Sequence, residues 1–359
     1  EGNAMFSTAS FEVLTKGDWP CHYGKSAVRL LILLNYIYNE VDNFFRFNAR
    51  TSRIFSPRVS SYANMKSIHF FKAKSCMGLI NPLNYQVKET VTGVENGPDA
   101  ILTDDFLLEF PLNCVSEHIF PNPKDVSSHQ FYKILGEQIE EFKKNINKDL
   151  RHDQVQVVIG GDHSVTLSSV LAVGDRIGGL KNIGYIQFDS HGDINLNASS
   201  PTGNFHGMYV RALISNFDIK EIERLVLNKM PVENIIYIGN LDLDYGEKYL
   251  FNKNKIKNIN RAALVENKKN ILDSLKRFIS SFPYLHVTFD IDVLDKTQAP
   301  ATSIPANNGL ILEDIGELLN VVKRHPNLSL DLTEVNPNMT GSEKTIQSAR
   351  DVLRILLSN

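Results

Sequence analysis

The sequence IGYIQFDSHGD, residues 183–193, joins a short apolar run to a segment of acidic and histidine side chains. Its first part, Ile183–Phe188, is mostly apolar and lacks a clean polar alternation, which is typical of a strand covered on both faces in a parallel sheet. If the chain stays extended beyond this strand, Asp189, His191 and Asp193 project to one side, because strand side chains alternate with a period of two. The stretch therefore predicts a buried strand that ends in converging polar side chains.

Five further apolar runs resemble this strand, and helical patterns separate them. The other strand-like runs lie at residues 68–72, 155–159, 235–238, 286–289 and 328–332. The helical segments lie at residues 130–145, 165–177, 219–227, 268–280, 312–323 and 344–357. This alternation predicts an α/β fold with a three-layer, doubly wound and mostly parallel sheet. We expect it to form one domain over residues 67–359.

The first 66 residues are a different kind of segment. Between residues 44 and 53 they mix phenylalanines with arginines, and they show no clear alternation of strands and helices. We expect residues 1–66 to form an N-terminal extension packed on the main domain, with an expression scar at residues 1–4. The longest apolar run, residues 30–38, predicts an amphipathic helix, because a membrane span needs about 20 apolar residues.

The composition limits the partners of the chain. Its 359 residues carry 38 basic and 41 acidic side chains, a formal net charge of −3 that gives no strong attraction to nucleic acid or membranes. Apolar residues at 42% and charged residues at 22% are ordinary for a folded globular chain and exclude a disordered or collagen-like one. Three cysteines without a paired motif argue against disulfides and a thiolate zinc site, and we expect a reducing, cytoplasmic location.

Polar segments follow four of the predicted strands. They are GGDHS at 160–164, DSHGD at 189–193, DID at 290–292 and TEVNP at 333–337. In an open parallel sheet, ligands bind outside the carboxyl ends of the strands. We therefore expect side chains from these four segments to meet at one edge of the sheet.

Six of these side chains could bind metal ions, and the set contains four carboxylates, two imidazoles and no thiol. They are His163, Asp189, His191, Asp193, Asp290 and Asp292. Such ligands favour a hard or borderline ion such as Mn²⁺, and six of them suit two ions about 3.5–4 Å apart. Taken singly, His163 after a glycine pair, or Asp290 and Asp292 at a strand end, could be turn or cap residues. Their joint occurrence at equivalent strand ends favours a metal centre.

Six short sequence motifs, taken in order, indicate a resemblance to a known family. They are GVENGP at 93–98, GGDHS at 160–164, DSHGDIN at 189–195, GNFHGM at 203–208, FDID at 289–292 and EVNP at 334–337. Their order and spacing resemble the arginase/agmatinase (ureohydrolase) family over residues 90–357. The resemblance implies the family's fold, a small-molecule substrate and two Mn²⁺ ions per chain.

The resemblance also implies which residues bind each ion. The first manganese ion would bind His163, Asp189, Asp193 and Asp290. The second would bind Asp189, His191, Asp290 and Asp292. Asp189 and Asp290 would then bridge both ions.

Three catalytic residues follow from the resemblance, namely His206, Glu334 and the metal ligand Asp193. A hydroxide that bridges the ions would attack the guanidinium carbon of L-arginine, and the products would be L-ornithine and urea. Glu334 would pair with the guanidinium group in a bidentate geometry. His206 would carry a proton to the leaving amine or away from the water that regenerates the hydroxide.

The resemblance places polar residues at the other end of the substrate. The implied substrate-binding residues are Asn195, Ser200, Thr202, Asn204, Asp244 and Glu247, with Glu334 at the guanidinium end. The GNFHG context at 203–207 favours L-arginine over agmatine, which lacks the α-carboxylate. The family also implies a homotrimer or homohexamer.

Several features differ from the family's pattern. Ile304 stands in the sequence Ser-Ile-Pro where the family usually has Gly-Thr-Pro, so a hydroxyl is missing near the expected guanidinium position. Thr202 stands where serine is usual, and the first loop at 76–93 keeps little of the glycine-rich pattern. Two alternatives stay open. One is another ureohydrolase, acting on agmatine, guanidinobutyrate or formiminoglutamate, and the other is a catalytically impaired binding or regulatory protein.

Overall fold

The computed structural model describes residues 67–82, 92–110, 112–124 and 126–358. The predicted N-terminal extension at 1–66, with its amphipathic helix, lies outside the described residues, as do residues 83–91 of the first loop. Within the described ranges, no helix is both long and apolar enough to cross a membrane. The predicted start of the main domain at residue 67 stays a prediction.

Eight strands form one sheet in the described part of the chain. They are β1 Ser67–Lys74, β2 Asn113–Ile119, β3 Gln154–Gly160, β4 Ile183–Phe188, β5 Ile235–Ile238, β6 Lys257–Ile259, β7 Tyr284–Asp290 and β8 Leu328–Thr333. Their spatial order is β2-β1-β3-β8-β7-β4-β5-β6, and every pairing is parallel. The predicted parallel sheet is confirmed, and all six predicted strands are present.

Two strands at the edges of the sheet, β2 and β6, were not predicted from the sequence. In β2, Glu117 and Ile119 are exposed, and only Cys114 and His118 are buried. β6 has three residues, of which Lys257 and Asn258 are exposed. Because edge strands have a single neighbour and contact solvent, they do not need the continuous apolar run that marks a central parallel strand.

Ten α-helices accompany the strands in the described ranges. They are α1 Gly97–Ile101, α2 Asp104–Leu107, α3 Ser128–Asp149, α4 Val165–Ile177, α5 Tyr209–Ile214, α6 Lys220–Glu223, α7 Tyr245–Asn254, α8 Arg261–Ile279, α9 Leu312–Val322 and α10 Ser342–Leu357. Short 3₁₀ turns lie at Met77–Leu79, Val94–Asn96, Leu180–Asn182, Phe205–Gly207, Val232–Asn234 and Ile291–Val293. The helix predicted at 219–227 shortens to α6, because the N–H groups of Leu225 and Val226 donate to carbonyls three residues earlier, as in a 3₁₀ turn.

Two long helices begin at local caps. At the start of α3, Ser127 Oγ accepts the N–H of Gln130, and Gln130 Oε1 accepts the N–H of Ser127, which is a capping box. At the start of α8, Asn260 Oδ1 accepts the N–H of Ala263 at 2.9 Å. This cap places the start of α8 seven residues before the predicted 268, and a kink at Asn267, with φ −135°, divides the helix.

Helices cover both faces of the sheet, which confirms the three layers. On one face, α4 packs against both α3 and α5, and Phe131, Leu135 and Ile139 bury the same side of α3 at every fourth position. On the other face, α8, α9 and α10 bury their apolar sides, such as Ile315 and Leu319 of α9. The central strands between these layers are the most enclosed, and every residue of β4 and β8 is buried.

The centre of the sheet carries the four predicted polar segments. Strands β3, β8, β7 and β4 are neighbours in that order. Ile159 and Phe289 both pair with Leu332, and Phe289 also pairs with Phe188, so the four strands end at the same level. The segments that follow therefore leave the sheet side by side, as we expected from the sequence.

Candidate metal centre and active site

Two residues at this edge have left-handed backbone conformations that L-amino acids rarely adopt. The φ angle is 52° at Asp193 and 67° at Glu334. The N–H of Glu334 donates to Gly161 O at 2.7 Å, which ties the end of β8 to the segment after β3. Such conformations cost about 1–3 kcal/mol each and persist where the surrounding structure fixes them, often at functional sites.

His163 lies among three carboxylates, and these four residues are called the His163 cluster below. Its Nδ1 atom is 3.2 Å from Asp189 Oδ2, 3.1 Å from Asp193 Oδ2 and 3.2 Å from Asp290 Oδ2. None of these contacts is aligned as a hydrogen bond, so the buried Nδ1 atom has no hydrogen-bond partner. A buried nitrogen that faces three carboxylate oxygens is an arrangement that a bound cation would complete.

A second cluster, the His191 cluster, consists of His191, Asp189 and Asp292. His191 Nδ1 is 3.0 Å from Asp292 Oδ2 and 3.5 Å from Asp189 Oδ1. Backbone N–H groups orient the carboxylates: that of His191 donates to Asp189 Oδ1, and that of Ser190 donates to Asp292 Oδ1. The side chain of His191 is 28% exposed, so this cluster opens towards solvent.

Asp189 connects the two clusters. Its Oδ2 atom faces His163, and its Oδ1 atom faces His191. In each cluster, the ligand atoms of one histidine and two aspartates lie within 4.8 Å of one another. Asp290 contributes Oδ2 to the His163 cluster, while its Oδ1 atom accepts the N–H of Asp292 at 2.9 Å. The donor set therefore fits two hard or borderline ions that share a carboxylate.

The charges of this site perturb one another strongly. Burial and the neighbouring Asp189 raise the pKa of Asp193 to about 7. Burial and the nearby carboxylates also raise the pKa of Asp290 well above its ordinary value. Burial alone would lower the pKa of His163, but its contacts with the three carboxylates outweigh burial and raise that pKa. Without a cation, the site thus retains protons that a bound metal ion would displace.

A cavity of about 250 Å³ opens above the two clusters. It is lined by His191, Asp193, Asn195, Ser200, Pro201, Thr202, His206, Gly207, Asp242, Asp244, Glu247, Asp290, Asp292, Ser303, Ile304 and Glu334. Among these residues there is no lysine or arginine. The cavity therefore suits a cationic ligand group, and any anionic group there would depend on neutral donors or on metal ions.

Glu334 and His206 form an ion pair beside the His163 cluster. Glu334 is 2% exposed, and its Oε1 atom accepts the N–H of His163 at 2.8 Å and lies 3.1 Å from His206 Nδ1. Its Oε2 atom accepts a hydrogen bond from Ser303 Oγ at 3.4 Å. Burial opposes ionisation of both groups, but their mutual contact raises the pKa of His206 and lowers the pKa of Glu334. Glu334 therefore keeps its negative charge beside a protonated His206, and the pair as a whole is close to neutral.

Asp244 and Asn195 meet on another wall of the cavity, where Asn195 Nδ2 donates to Asp244 Oδ2 at 2.8 Å. Glu247 is buried at the same wall, and both of its carboxylate oxygens accept backbone N–H groups: Oε1 accepts the N–H of Ile194 and Oε2 accepts the N–H of Asp244. Burial raises the pKa of Glu247. Its contacts thus position Asp244 at the start of α7.

The segment from Ser200 to Asn204 forms a tight turn at the cavity. Ser200 Oγ accepts the N–H of Gly203 at 3.0 Å, and Thr202 Oγ1 accepts the N–H of Asn204 at 3.2 Å. The hydroxyls of Ser200 and Thr202 lie 3.5 Å apart and both line the cavity. Asn204, which the sequence also suggested, is not among the described residues that line it. Ile304 does line the cavity and is 53% exposed.

Sequence reasoning missed several residues around the site. Asp242 lines the cavity two residues before Asp244, and the acidic spacing could have indicated it. Gln187 donates to Asp189 Oδ2 at 2.7 Å and precedes Asp189 by two residues in β4, so the strand period was a usable signal. Tyr209, whose hydroxyl is 3.0 Å from His163 Nε2, begins α5, and no local pattern indicates that contact.

Comparisons with known sequences show which family this chain is similar to. The model of the Arginase family matches residues 81–358, more than three quarters of the chain. Arginase of Staphylococcus aureus (strain COL) is 32% identical over 216 residues, which cover 58% of this chain and 70% of that protein. The resemblance inferred from the six motifs is therefore confirmed.

Comparisons with solved structures show the fold. Entamoeba histolytica arginase, solved in complex with L-ornithine, has a TM-score of 0.71 at 20% identity, covering 82% of this chain and 99% of that one. Formimidoylglutamase from Bacillus subtilis subsp. subtilis str. 168 has a TM-score of 0.59 at 17% identity, covering 81% and 85%. The chain belongs to the arginase family, and it is a hydrolase that acts on guanidino or amidino compounds.

Proposed function

We propose that this protein is a dinuclear manganese hydrolase that converts L-arginine to L-ornithine and urea. The observation that carries the proposal is the position of Asp189, whose two oxygens face two histidine-containing clusters below a cavity. The first ion would be held by His163, Asp189, Asp193 and Asp290. The second would be held by Asp189, His191, Asp290 and Asp292. When bound, two such ions supply Lewis acidity and lower the pKa of a shared water.

Glu334 orients the guanidinium group in this proposal. Its buried carboxylate is held by the N–H of His163 and by His206, and Oε2 lies at the cavity beside Ser303. A guanidinium group pairs with a carboxylate through parallel N–H···O bonds, which fixes the orientation of its central carbon. Because His206 lines the same cavity and its pKa is raised by Glu334, it can hold a proton for the leaving amine.

The other end of L-arginine would lie against the opposite wall. Asp244, whose position is fixed by Asn195 and by the start of α7, offers a carboxylate to the α-ammonium group. The hydroxyls of Ser200 and Thr202 can donate to the α-carboxylate, since their oxygens already accept backbone N–H groups. Asn204 and Glu247 would act through the turn and the capping box rather than by direct contact. Cytoplasmic location and assembly as a trimer or hexamer stay predictions.

A substrate panel tests the proposal. The Mn²⁺-loaded protein would be incubated with L-arginine, agmatine, 4-guanidinobutyrate and formiminoglutamate, with urea measured for the first three and formamide for the last. We expect kcat/KM to be highest for L-arginine. A preference for agmatine is the specific alternative, because the lining contains no lysine or arginine for a carboxylate and Ile304 adds an apolar group. Metal binding without turnover of any of the four would instead support a binding or regulatory role.

A further inference from the structure

A fully buried group of side chains lies behind the His163 cluster, on the side away from the cavity. It consists of Gln187 and Tyr185 on β4 and Tyr209 at the start of α5, all at 0% exposure. Gln187 Nε2 donates to Asp189 Oδ2 at 2.7 Å and to Asp193 Oδ2 at 3.2 Å. One amide nitrogen thus holds two carboxylates of the cluster at once.

The orientation of the Gln187 amide follows from its neighbours. As metal ligands, Asp189 and Asp193 are ionised and cannot donate, so the amide nitrogen must face them and Oε1 must face the tyrosines. The hydroxyls of Tyr185 and Tyr209 each lie 3.2 Å from Oε1 as donors, and 2.9 Å from each other. The amide is therefore fixed at both ends and cannot turn over without breaking two sets of contacts.

Tyr209 extends the same group to His163. Its hydroxyl lies 3.0 Å from His163 Nε2, and the Thr288 hydroxyl lies 2.8 Å from the same nitrogen. With two hydroxyl oxygens available as acceptors, the imidazole can keep its proton on Nε2. Its Nδ1 atom then points unprotonated towards the three carboxylates, as a metal ligand must.

We propose that Gln187 and Tyr209 are positioning residues for the first metal ion, an inference that rests on the proposed function. Gln187 spaces the oxygens of Asp189 and Asp193, while Tyr209 fixes the tautomer and ring orientation of His163. Together they place three ligand atoms before any ion arrives, so binding does not have to order them. Tyr185 supports the Gln187 amide but contacts no ligand of the first ion.

Three variants separate positioning from packing. Gln187→Leu and Tyr209→Phe remove polar atoms that touch ligands, whereas Tyr185→Phe removes a hydroxyl of the same size and burial that touches none. Loss of such outer contacts usually lowers metal affinity about 10- to 100-fold. We expect Gln187→Leu near the upper end of that range and Tyr209→Phe near the lower end. Tyr185→Phe should change affinity by no more than about twofold.

The measurement is calorimetric titration of the chelator-stripped proteins with Mn²⁺, paired with thermal unfolding of each metal-free variant. A purely structural role predicts lower melting temperatures in all three variants. It also predicts that the Mn²⁺ affinity of both metal positions stays at the wild-type value. That result would overturn the inference. If Gln187→Leu does not fold, the two Phe variants still decide, because each lacks a single oxygen. If the wild-type protein itself binds no Mn²⁺, the proposed function fails instead.

Discussion

The His163 and His191 clusters share Asp189, yet different parts of the structure hold them. Core side chains from β4, β7 and α5 orient the first: Gln187 holds its carboxylates, and Thr288 and Tyr209 contact the imidazole. Backbone N–H groups of the loop after β4 orient the second. The exposed fraction differs accordingly, at 1% for the side chain of His163 and 28% for that of His191. One half of the centre is therefore part of the core, and the other half belongs to the cavity surface.

The strongest test of the shared residue is Asp189→Ala. Because this carboxylate faces both histidines, its loss should weaken both halves of the centre together. We expect metal content to fall from about two ions to below one per chain, and urea formation from L-arginine to fall about 1,000-fold, or about 4 kcal/mol. Elemental analysis and a urea assay measure the two effects. Retention of both ions would show that Asp189 does not join the clusters.

Asp244→Ala should separate the cavity wall from both clusters. Removing one partner of a buried charge pair leaves the other charge uncompensated, so L-arginine turnover should fall about 100-fold, or about 2.7 kcal/mol. Metal content should not change, because Asp244 belongs to neither cluster. The turnover of agmatine, which lacks the α-carboxylate, should fall by a smaller factor.

Kinetics with both substrates and elemental analysis of the same preparation provide the control for Asp244→Ala. Loss of metal, or an equal loss for both substrates, would contradict the assignment of Asp244 to the amino-acid end of the substrate.

Stability should distinguish the two histidines. In the metal-free protein, His163→Ala removes a buried ring with two hydrogen-bond contacts and should lower the free energy of unfolding by about 2–3 kcal/mol. His191→Ala, at a partly exposed position, should lower it by less than about 1 kcal/mol. Urea unfolding in the presence of a chelator provides the comparison. If both variants lost the same free energy of unfolding, the His163 cluster would not be more deeply integrated into the core than the His191 cluster.

The smallest expected effect is on the pH dependence of stability. The pKa values of Asp193, Asp290 and Asp292 are raised by burial and nearby carboxylates, and those of His163 and His191 are raised by their carboxylate partners despite burial. The folded metal-free protein then binds more protons than the unfolded chain between about pH 4 and the raised values, so its stability falls as pH rises.

Metal binding should reverse this pH dependence, because it displaces the retained protons. Thermal scans at pH 5.5 and 8.0 should show a lower melting temperature at pH 8.0 with chelator, and a larger increase on adding Mn²⁺ at pH 8.0 than at pH 5.5. An equal increase at both pH values would indicate that metal binding releases no protons.

The central sheet could be predicted from the sequence because its strands are enclosed on both faces. Enclosure favours a mostly apolar run, and such runs marked β3, β4, β7 and β8 together with the polar segments that follow them. The edge strands β2 and β6 do not have to be apolar on both faces, so no apolar run indicated them in the sequence. The register of the strands, which brings the four segments to one level, depends on tertiary pairing and is not encoded in any single run.

The metal-site residues could be predicted for a similar reason. Ligands that follow strand ends appear in short motifs with fixed spacing, as Asp189, His191 and Asp193 do. Gln187 and Tyr209 differ, because one looks like an interior strand residue and the other lies 46 positions from the histidine it contacts. The contacts of Tyr209 arise from packing of α5 against β4 and the segment after β3, and a single sequence does not specify them. The two-residue spacing of Gln187 and Asp189, by contrast, was a usable signal.

The most direct test of the two-cluster centre is its metal content. The purified chain would be stripped with chelator, dialysed against Mn²⁺, freed of unbound ion and analysed for manganese per chain, with Asp189→Ala treated in parallel. Two histidine-containing clusters that share one carboxylate predict about two ions per wild-type chain and fewer than one in the variant. The two-cluster centre would be contradicted by a wild-type chain that retains no manganese. It would also be contradicted if the wild-type chain and the Asp189→Ala variant retained the same amount of manganese.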